Sequence, residues 1–170
     1  MKDTINTMLV EQIKIRLIEC GIDRIDLCID KLTKEELYHV PNKNCNSINN
    51  LILHLDGNVR QWMISNFSTH TDNRNRPEEF NTENKKSKIE LKAILAALKA
   101  DVLSTFEQIK NSNLEEVITV QCYEESRFSI IVHVIEHFSY HVGQITYITK
   151  MIKDIDTGYY AGQDLEKVNA

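Results

Sequence analysis

The chain has 170 residues, of which 42% are hydrophobic and 26% charged, and its formal net charge is −5. This length and composition fit one globular domain spanning residues 1–170 with a sizeable core. The acidic balance and the lack of a dense Lys/Arg stripe outside residues 85–88 exclude nucleic acid as an expected partner. No signal-peptide pattern and no run of 18 apolar residues is present, so we expect no membrane association and a cytoplasmic location.

Two prolines and five glycines allow long helices. The first predicted helix runs from about Thr4 to about Ile29, with apolar residues at helical spacing. A connector containing Pro41 follows, and Ser47 is the predicted N-cap of the second helix. None of the four cysteines has CxxC spacing, so we expect reduced thiols that bind no metal.

The second predicted helix runs from about Ile48 to about Phe67, with its large apolar residues on one arc. His54 falls just outside this arc, and Asn58 lies one turn further along the same flank. A polar stripe bordering an apolar face is typical of a helix that lines a cleft.

A polar segment from about Ser68 to about Lys86 is longer than an ordinary helix connection and predicts a lid or a flexible loop. Its Arg74 and Arg76 are candidates to bind an anionic group of a substrate or cofactor. The alternative is that both are solvated, or that they anchor the loop by pairing with Glu78 or Glu79.

The third predicted helix runs from about Ser87 to about Lys110, and alternation around residues 117–123 predicts a short extended stretch or hairpin arm. The fourth predicted helix runs from about Phe128 to about Lys153. It carries three histidines at intervals of one turn along the edge of its apolar arc, namely His133, His137 and His141.

These histidines predict a metal site. Residues four apart share one face of a helix, so His137 and His141 can bind one ion while His54 supplies a third ligand. Imidazole suits zinc, nickel or copper, and three ligands leave coordination positions open for water. A lone histidine in such a place is more often a hydrogen-bonded, partly buried residue, but the constellation favours a metal.

The segments LILHLDGNVRQW and EHFSYHVGQITYI resemble the DinB/YfiT-like superfamily, and DNRNRPEEF resembles a branch of it known only as a domain of unknown function. The resemblance spans nearly the whole chain. It implies an all-α, up-down-down-up four-helix bundle with a long connection between helices 2 and 3. It also implies one divalent metal, usually nickel or zinc, held by three histidines, and His54, His137 and His141 match those positions. His133 is then a cleft residue beside the ligands, although a register in which His133 and His137 bind the metal remains open.

Characterised relatives include thiol-dependent transferases and isomerases that use bacillithiol, mycothiol or glutathione. The resemblance therefore implies a metal-dependent enzyme acting on a small molecule, either a thiol S-transferase in detoxification or a hydrolase. In this hypothesis Arg74 or Arg76 binds carboxylates of a low-molecular-weight thiol, Asn58 orients a water, and His133 is a second catalytic candidate. No acid or base is evident by spacing, because Glu136 projects away from the histidines. The alternative is a non-catalytic, metal-binding or stress-associated bundle.

Relatives with this fold are often dimers, so a homodimer is a further expectation. Gly57 and Gly143 lie within predicted helices and point away from the main apolar arc, where another backbone can approach closely. Packing of neighbouring helices within one chain explains both glycines equally well. The tyrosines of the tail, Tyr159 and Tyr160, either fold back over the bundle or belong to a frayed terminus.

Overall fold

The computed structural model describes residues 2–167, and four long helices dominate it. Three short helices and one hairpin connect them. The long helices are α1 (Lys2–Ile13, continuing as π-helix over Lys14–Ile22 and as α-helix over Asp23–Lys31), α3 (Ile48–Val59, π-helix over Arg60–Ile64, then Ser65–Phe67), α5 (Lys88–Ser104) and α7 (Arg127–Lys153). The short elements are α2 (Lys34–Leu37), α4 (Arg76–Glu79), α6 (Phe106–Asn111), β1 (Val117–Val120) and β2 (Tyr123–Ser126). The predicted all-α fold with four long helices is confirmed.

Serine caps fix where three of the long helices begin. Ser47 accepts a hydrogen bond from the backbone N–H of Asn50, as its predicted cap role requires. Ser87 forms a capping box with Glu90 at the start of α5, and Ser126 caps α7. These caps satisfy N–H groups that have no partner inside the helix, so the helix starts are encoded locally.

The third predicted helix is divided in two. It is interrupted at Thr105, between α5 and α6, instead of running on to Lys110. The buried Thr105 hydroxyl donates to the carbonyl of Val102 at 2.7 Å, a local bond of the kind that competes with the helical ladder. The short α2 within the connector was likewise not predicted.

The long helices enclose one hydrophobic cluster to which all four contribute. Each packs against two others, in the cyclic order α1, α7, α3, α5. Close packing of α1 on α7 needs a glycine, because a Cβ at Gly21 would lie 2.8 Å from Cε1 of Phe138. The adjacency of α3 and α7 brings His54 towards the histidines of α7.

The predicted hairpin arm is present as the antiparallel pair β1 and β2, which immediately precedes α7. Val120 pairs with Tyr123, so residues 121 and 122 form the two-residue turn. Gln121 adopts a left-handed conformation with φ of 56° in this turn. The hairpin thereby places Tyr123 and Glu125 near the start of α7.

The tail folds back over the bundle at Tyr159. Its hydroxyl lies 3.0 Å from both Cys28 Sγ on α1 and Thr146 Oγ1 on α7. The guanidinium of Arg24 stacks over the rings of Tyr159 and Tyr160. Of the two predicted arrangements of the tail, the structure has the packed one.

The cysteines are free thiols, as expected. Over residues 2–167, no helix combines the length and the apolar character that crossing a membrane requires.

Candidate metal centre

Three histidine side chains converge between α3 and α7. Nε2 of His54 lies 3.1 Å from Nε2 of His137, which lies 3.3 Å from Nε2 of His141. One ligand atom from each histidine lies within 4.8 Å of the other two. Within residues 2–167, this is the one group of three or more His, Cys, Asp or Glu side chains that is arranged to hold a metal ion.

The spacing of these nitrogens matches ligands on one ion. Metal–nitrogen bonds of about 2.0–2.1 Å place two ligand nitrogens about 2.9 Å apart at a 90° angle and about 3.4 Å apart at the tetrahedral angle. Both short Nε2–Nε2 separations fall within this interval. These two separations are compatible with His54, His137 and His141 binding the same cation.

Hydrogen-bond partners set the tautomers of two ligands. Nδ1 of His54 donates to Oε2 of Glu79 at 2.8 Å, and Nδ1 of His141 donates to Oε1 of Gln144 at 2.7 Å. Each ring therefore presents the lone pair of Nε2 to the centre of the cluster. Nδ1 of His137 is buried without a partner among the described residues.

The electrostatic environment keeps the histidines of α7 neutral. Burial, helped by the neighbouring His141 and His54, lowers the pKa of His137 from 6.5 to about 3. Burial also lowers the pKa of His141, although the hydrogen bond with Gln144 opposes this effect. Neutral imidazole is the form that binds metal, so at pH 7 no proton has to leave these rings first.

Glu79 supports His54, and the sequence reasoning missed it. Burial raises the pKa of the Glu79 carboxyl, but hydrogen bonds from Arg74 and His54 outweigh burial and hold that pKa below its usual value. Arg74 donates from Nε to Oε1 at 2.6 Å and from Nη2 to Oε2 at 2.9 Å. The side chains of Arg74 and Glu79 are 3% and 8% exposed. Arg74 therefore anchors the loop to Glu79, which is the alternative considered from sequence. Because its guanidinium is engaged in these bonds, Arg74 is not available to bind an anionic ligand.

Gly57 makes room for this carboxylate. A Cβ at Gly57 would overlap Oε1 of Glu79 and lie 3.1 Å from Nε of Arg74. The glycine occurs one turn after His54, inside a helix, and this was the sequence signal that could have pointed to a close neighbour. At Gly143, by contrast, a Cβ would meet no atom of the described residues within 4 Å.

The segment between α3 and α5 is fastened to α3. Nδ2 of Asn50 donates to the carbonyl of Glu79 at 3.0 Å, and Nδ2 of Asn49 donates to the carbonyl of Asn84 at 2.9 Å. Both asparagines are buried in the first turn of α3. Side chains of α3 thus hold the backbone of the predicted lid or loop, and Glu79 connects it to His54.

A cleft of about 390 Å³ reaches the cluster and is lined by His54 and His137. Asn58 also lines it, and the buried Oδ1 of Asn58 has no hydrogen-bond partner among the described residues. His133 lines the same cleft, and its ring is tilted against that of Trp62 with the centroids 4.2 Å apart. Burial lowers the pKa of His133 as well.

The structure separates the remaining candidates by position. His133 contacts the ring of His137 at a centroid distance of 5.5 Å but is not part of the converging group, which contains His141 instead. Glu136 is exposed, in agreement with its predicted direction. Arg76 is exposed at the cleft, with its guanidinium over the ring of Phe80.

Comparison with known proteins identifies the family of the chain but assigns no activity to it. The chain belongs to the family described as "Protein of unknown function (DUF1572)", which matches residues 5–159. Neither the curated proteins nor the solved structures contain a match. The protein is therefore a helical member of this family with a buried three-histidine cluster compatible with a metal ion.

Proposed function

We propose that this protein is a divalent-metal-dependent enzyme of the DinB/YfiT-like superfamily that acts on a small molecule. The reaction we favour is transfer of a low-molecular-weight thiol to an electrophile, with hydrolysis as the second choice. His54, His137 and His141 hold the metal, for which nickel and zinc are the leading candidates.

One observation carries this proposal, namely that two of the three converging histidines line the cleft. Within residues 2–167, no fourth protein side chain joins the group. Three protein ligands and an accessible cleft are the arrangement of catalytic sites, whereas structural zinc sites have four protein ligands.

The cleft supplies groups suited to handle a proton. A divalent cation bound by three neutral imidazoles keeps its charge and lowers the pKa of a thiol or water that reaches it. Oδ1 of Asn58 accepts a hydrogen bond from that nucleophile, because it is buried and otherwise unpaired. His133 is the candidate base, because it lines the same cleft and its ring, whose pKa burial lowers, is neutral at pH 7.

The second candidate function is a non-catalytic, metal-binding bundle. His54 is only 6% exposed, and its bond to Glu79 links α3 to the segment that follows it. A metal at this place ties α3, α7 and that segment together and stabilises the fold. This candidate predicts metal-dependent stability without turnover.

The experiment is a metal-dependent thiol-transfer assay. Protein reconstituted with zinc or nickel is mixed with monochlorobimane and either L-cysteine or glutathione, and thioether formation is followed by fluorescence. In this reaction the sulfur–carbon bond forms as the carbon–chlorine bond breaks, and the thiol proton goes to the buffer. A parallel assay uses a p-nitrophenyl ester to detect hydrolysis.

We expect turnover that requires the metal and is lost in His54→Ala. The matched control is His39→Ala, which removes a histidine from the connector between α2 and α3. Absence of turnover with either substrate class, together with a higher melting temperature when metal is bound, contradicts the enzyme and supports the structural candidate.

A further inference from the structure

Arg76 brings an uncommitted positive charge to the cleft. It is exposed on α4 and lines the same cavity as His54 and His137. Its guanidinium lies 5.0 Å from the centroid of the Phe80 ring, and among the described residues it has no hydrogen bond or ion pair. The other cation of the lining, Arg74, is neutralised by Glu79. Arg76 is therefore free to bind an anionic group, for which a planar guanidinium is well suited.

Glu125 brings an uncommitted negative charge from the hairpin. It lines the same cleft, and its Oε2 accepts a hydrogen bond from Ser129 Oγ at 2.6 Å. Within residues 2–167, no cation pairs with Glu125 and its Oε1 has no hydrogen-bond partner. The rings of Trp62 and Tyr123 line the cleft as well, with centroids 6.0 Å apart. Aromatic faces and a carboxylate together favour a cationic group.

The two charges restrict the kind of ligand that fits. A ligand with only negative charge is attracted by Arg76 but repelled by the carboxylate of Glu125. A ligand with only positive charge is attracted by Glu125 but repelled by Arg76. A ligand that carries both charges satisfies both side chains. The cavity of about 390 Å³ lies at the small end of ligand sites and suits an amino acid or a dipeptide.

We propose that the cleft binds a zwitterion of amino-acid or dipeptide size, with its carboxylate at Arg76 and its ammonium group at Glu125. This inference rests on the proposed function in one respect, namely that the bound ligand reacts at the histidine cluster. The recognition itself depends on side chains that lie outside the histidine cluster.

The test compares small thiols that differ in charge. L-cysteine and L-cysteinylglycine carry both charges, cysteamine carries only the ammonium, and 3-mercaptopropionate carries only the carboxylate. Trp62 is the one tryptophan of the chain and lines the cleft, so its fluorescence reports binding directly. Each thiol is titrated into metal-free protein and into protein loaded with zinc, which does not quench this fluorescence.

We expect at least one zwitterion to bind about tenfold more tightly than either singly charged thiol. Arg76→Gln should weaken the carboxylate-bearing thiols roughly fivefold to tenfold but should not weaken cysteamine, which loses a repulsion. Glu125→Gln should weaken the ammonium-bearing thiols by a similar factor but should not weaken 3-mercaptopropionate, and the variant keeps the local structure because glutamine still accepts the bond from Ser129.

Matched controls remove the same charges elsewhere. Glu124→Gln acts on the neighbouring exposed residue, whose side chain points to the other face of the strand, and Arg16→Gln acts on an exposed arginine of α1. Neither should alter the order of affinities. Affinities within twofold across the series, or an order that survives both cleft variants, overturn the proposal.

The design separates this proposal from the proposed function. Failure of metal to bind makes the zinc and metal-free titrations coincide and refutes the metalloenzyme, while the metal-free titrations still decide the charge preference. Tight metal binding with equal affinity for all thiols leaves the metalloenzyme standing and refutes zwitterion selection.

Discussion

Replacing Gly57 with alanine should destabilise the protein and weaken its hold on metal, although alanine is normally the better helix residue. The new methyl group would overlap Oε1 of Glu79 and lie 3.0 Å from its Cδ. Glu79 is held by Arg74 from one side and by His54 from the other, so it has no easy way to move aside.

The magnitude follows from two opposing effects. An alanine in place of a glycine inside a helix contributes about 1 kcal/mol of stability. Displacing Glu79 breaks a buried ion pair, for which we take a cost of about 3 kcal/mol, the low end for removing one partner. The free energy of unfolding should therefore fall by about 2 kcal/mol. His54 also loses the acceptor for its Nδ1, so metal affinity should fall roughly 10- to 100-fold.

Urea unfolding of metal-free protein and competition with a chromophoric chelator measure the two effects. Gly143→Ala is the matched control, because it is also a glycine of a long helix but a Cβ there meets none of the described atoms within 4 Å. That variant should gain up to about 1 kcal/mol and bind metal normally. If Gly57→Ala behaves like Gly143→Ala in both assays, the contact between Gly57 and Glu79 is wrong and so is the role given to Glu79.

Three further predictions concern the same network and the tail. Glu79→Gln should lower metal affinity about 10- to 100-fold in chelator competition while the ligands stay in place. In metal-free protein, folded His137 binds fewer protons than the unfolded chain between pH 3 and 6.5. The free energy of unfolding should therefore fall by on the order of 1–2 kcal/mol as the pH drops from about 7.5 to about 5. In the variant His137→Gln this loss of stability should be smaller than in His70→Gln, which changes an exposed histidine and serves as the control. Tyr159→Phe should cost about 1 kcal/mol and make the tail more sensitive to limited proteolysis, because it removes the hydroxyl that joins the tail to α1 and α7.

Local signals explain how much of the fold was predictable. The predicted bounds of the second helix agree with α3, because Ser47 marks its start and the apolar period continues through its π-helical turn. The end of α5 was not predictable in the same way. Strong helix formers continue through residue 110, and the interruption at Thr105 goes with a hydroxyl that is fully buried and bonded to Val102, a burial that the sequence pattern does not reveal.

The candidate site likewise has one part that the sequence predicts and another that only the tertiary structure brings together. The two histidines of α7 lie one turn apart, and their separation on a helix is fixed by the sequence alone. Glu79 lies 25 residues from His54, in a polar segment with no strong period, and only tertiary packing brings the two together. Arg76 and Glu125 likewise meet at one cleft because the segment after α3 and the hairpin before α7 lie on the same side of the bundle.

Metal content tests the central claim most directly. Inductively coupled plasma mass spectrometry of untagged protein, after reconstitution with nickel, zinc or manganese, should find close to one divalent ion per chain. His54→Ala and the double variant His137→Ala/His141→Ala should lose it, and His133→Ala should keep it. A wild-type protein that binds none of these metals, or variants that retain it fully, would contradict the three-histidine metal centre.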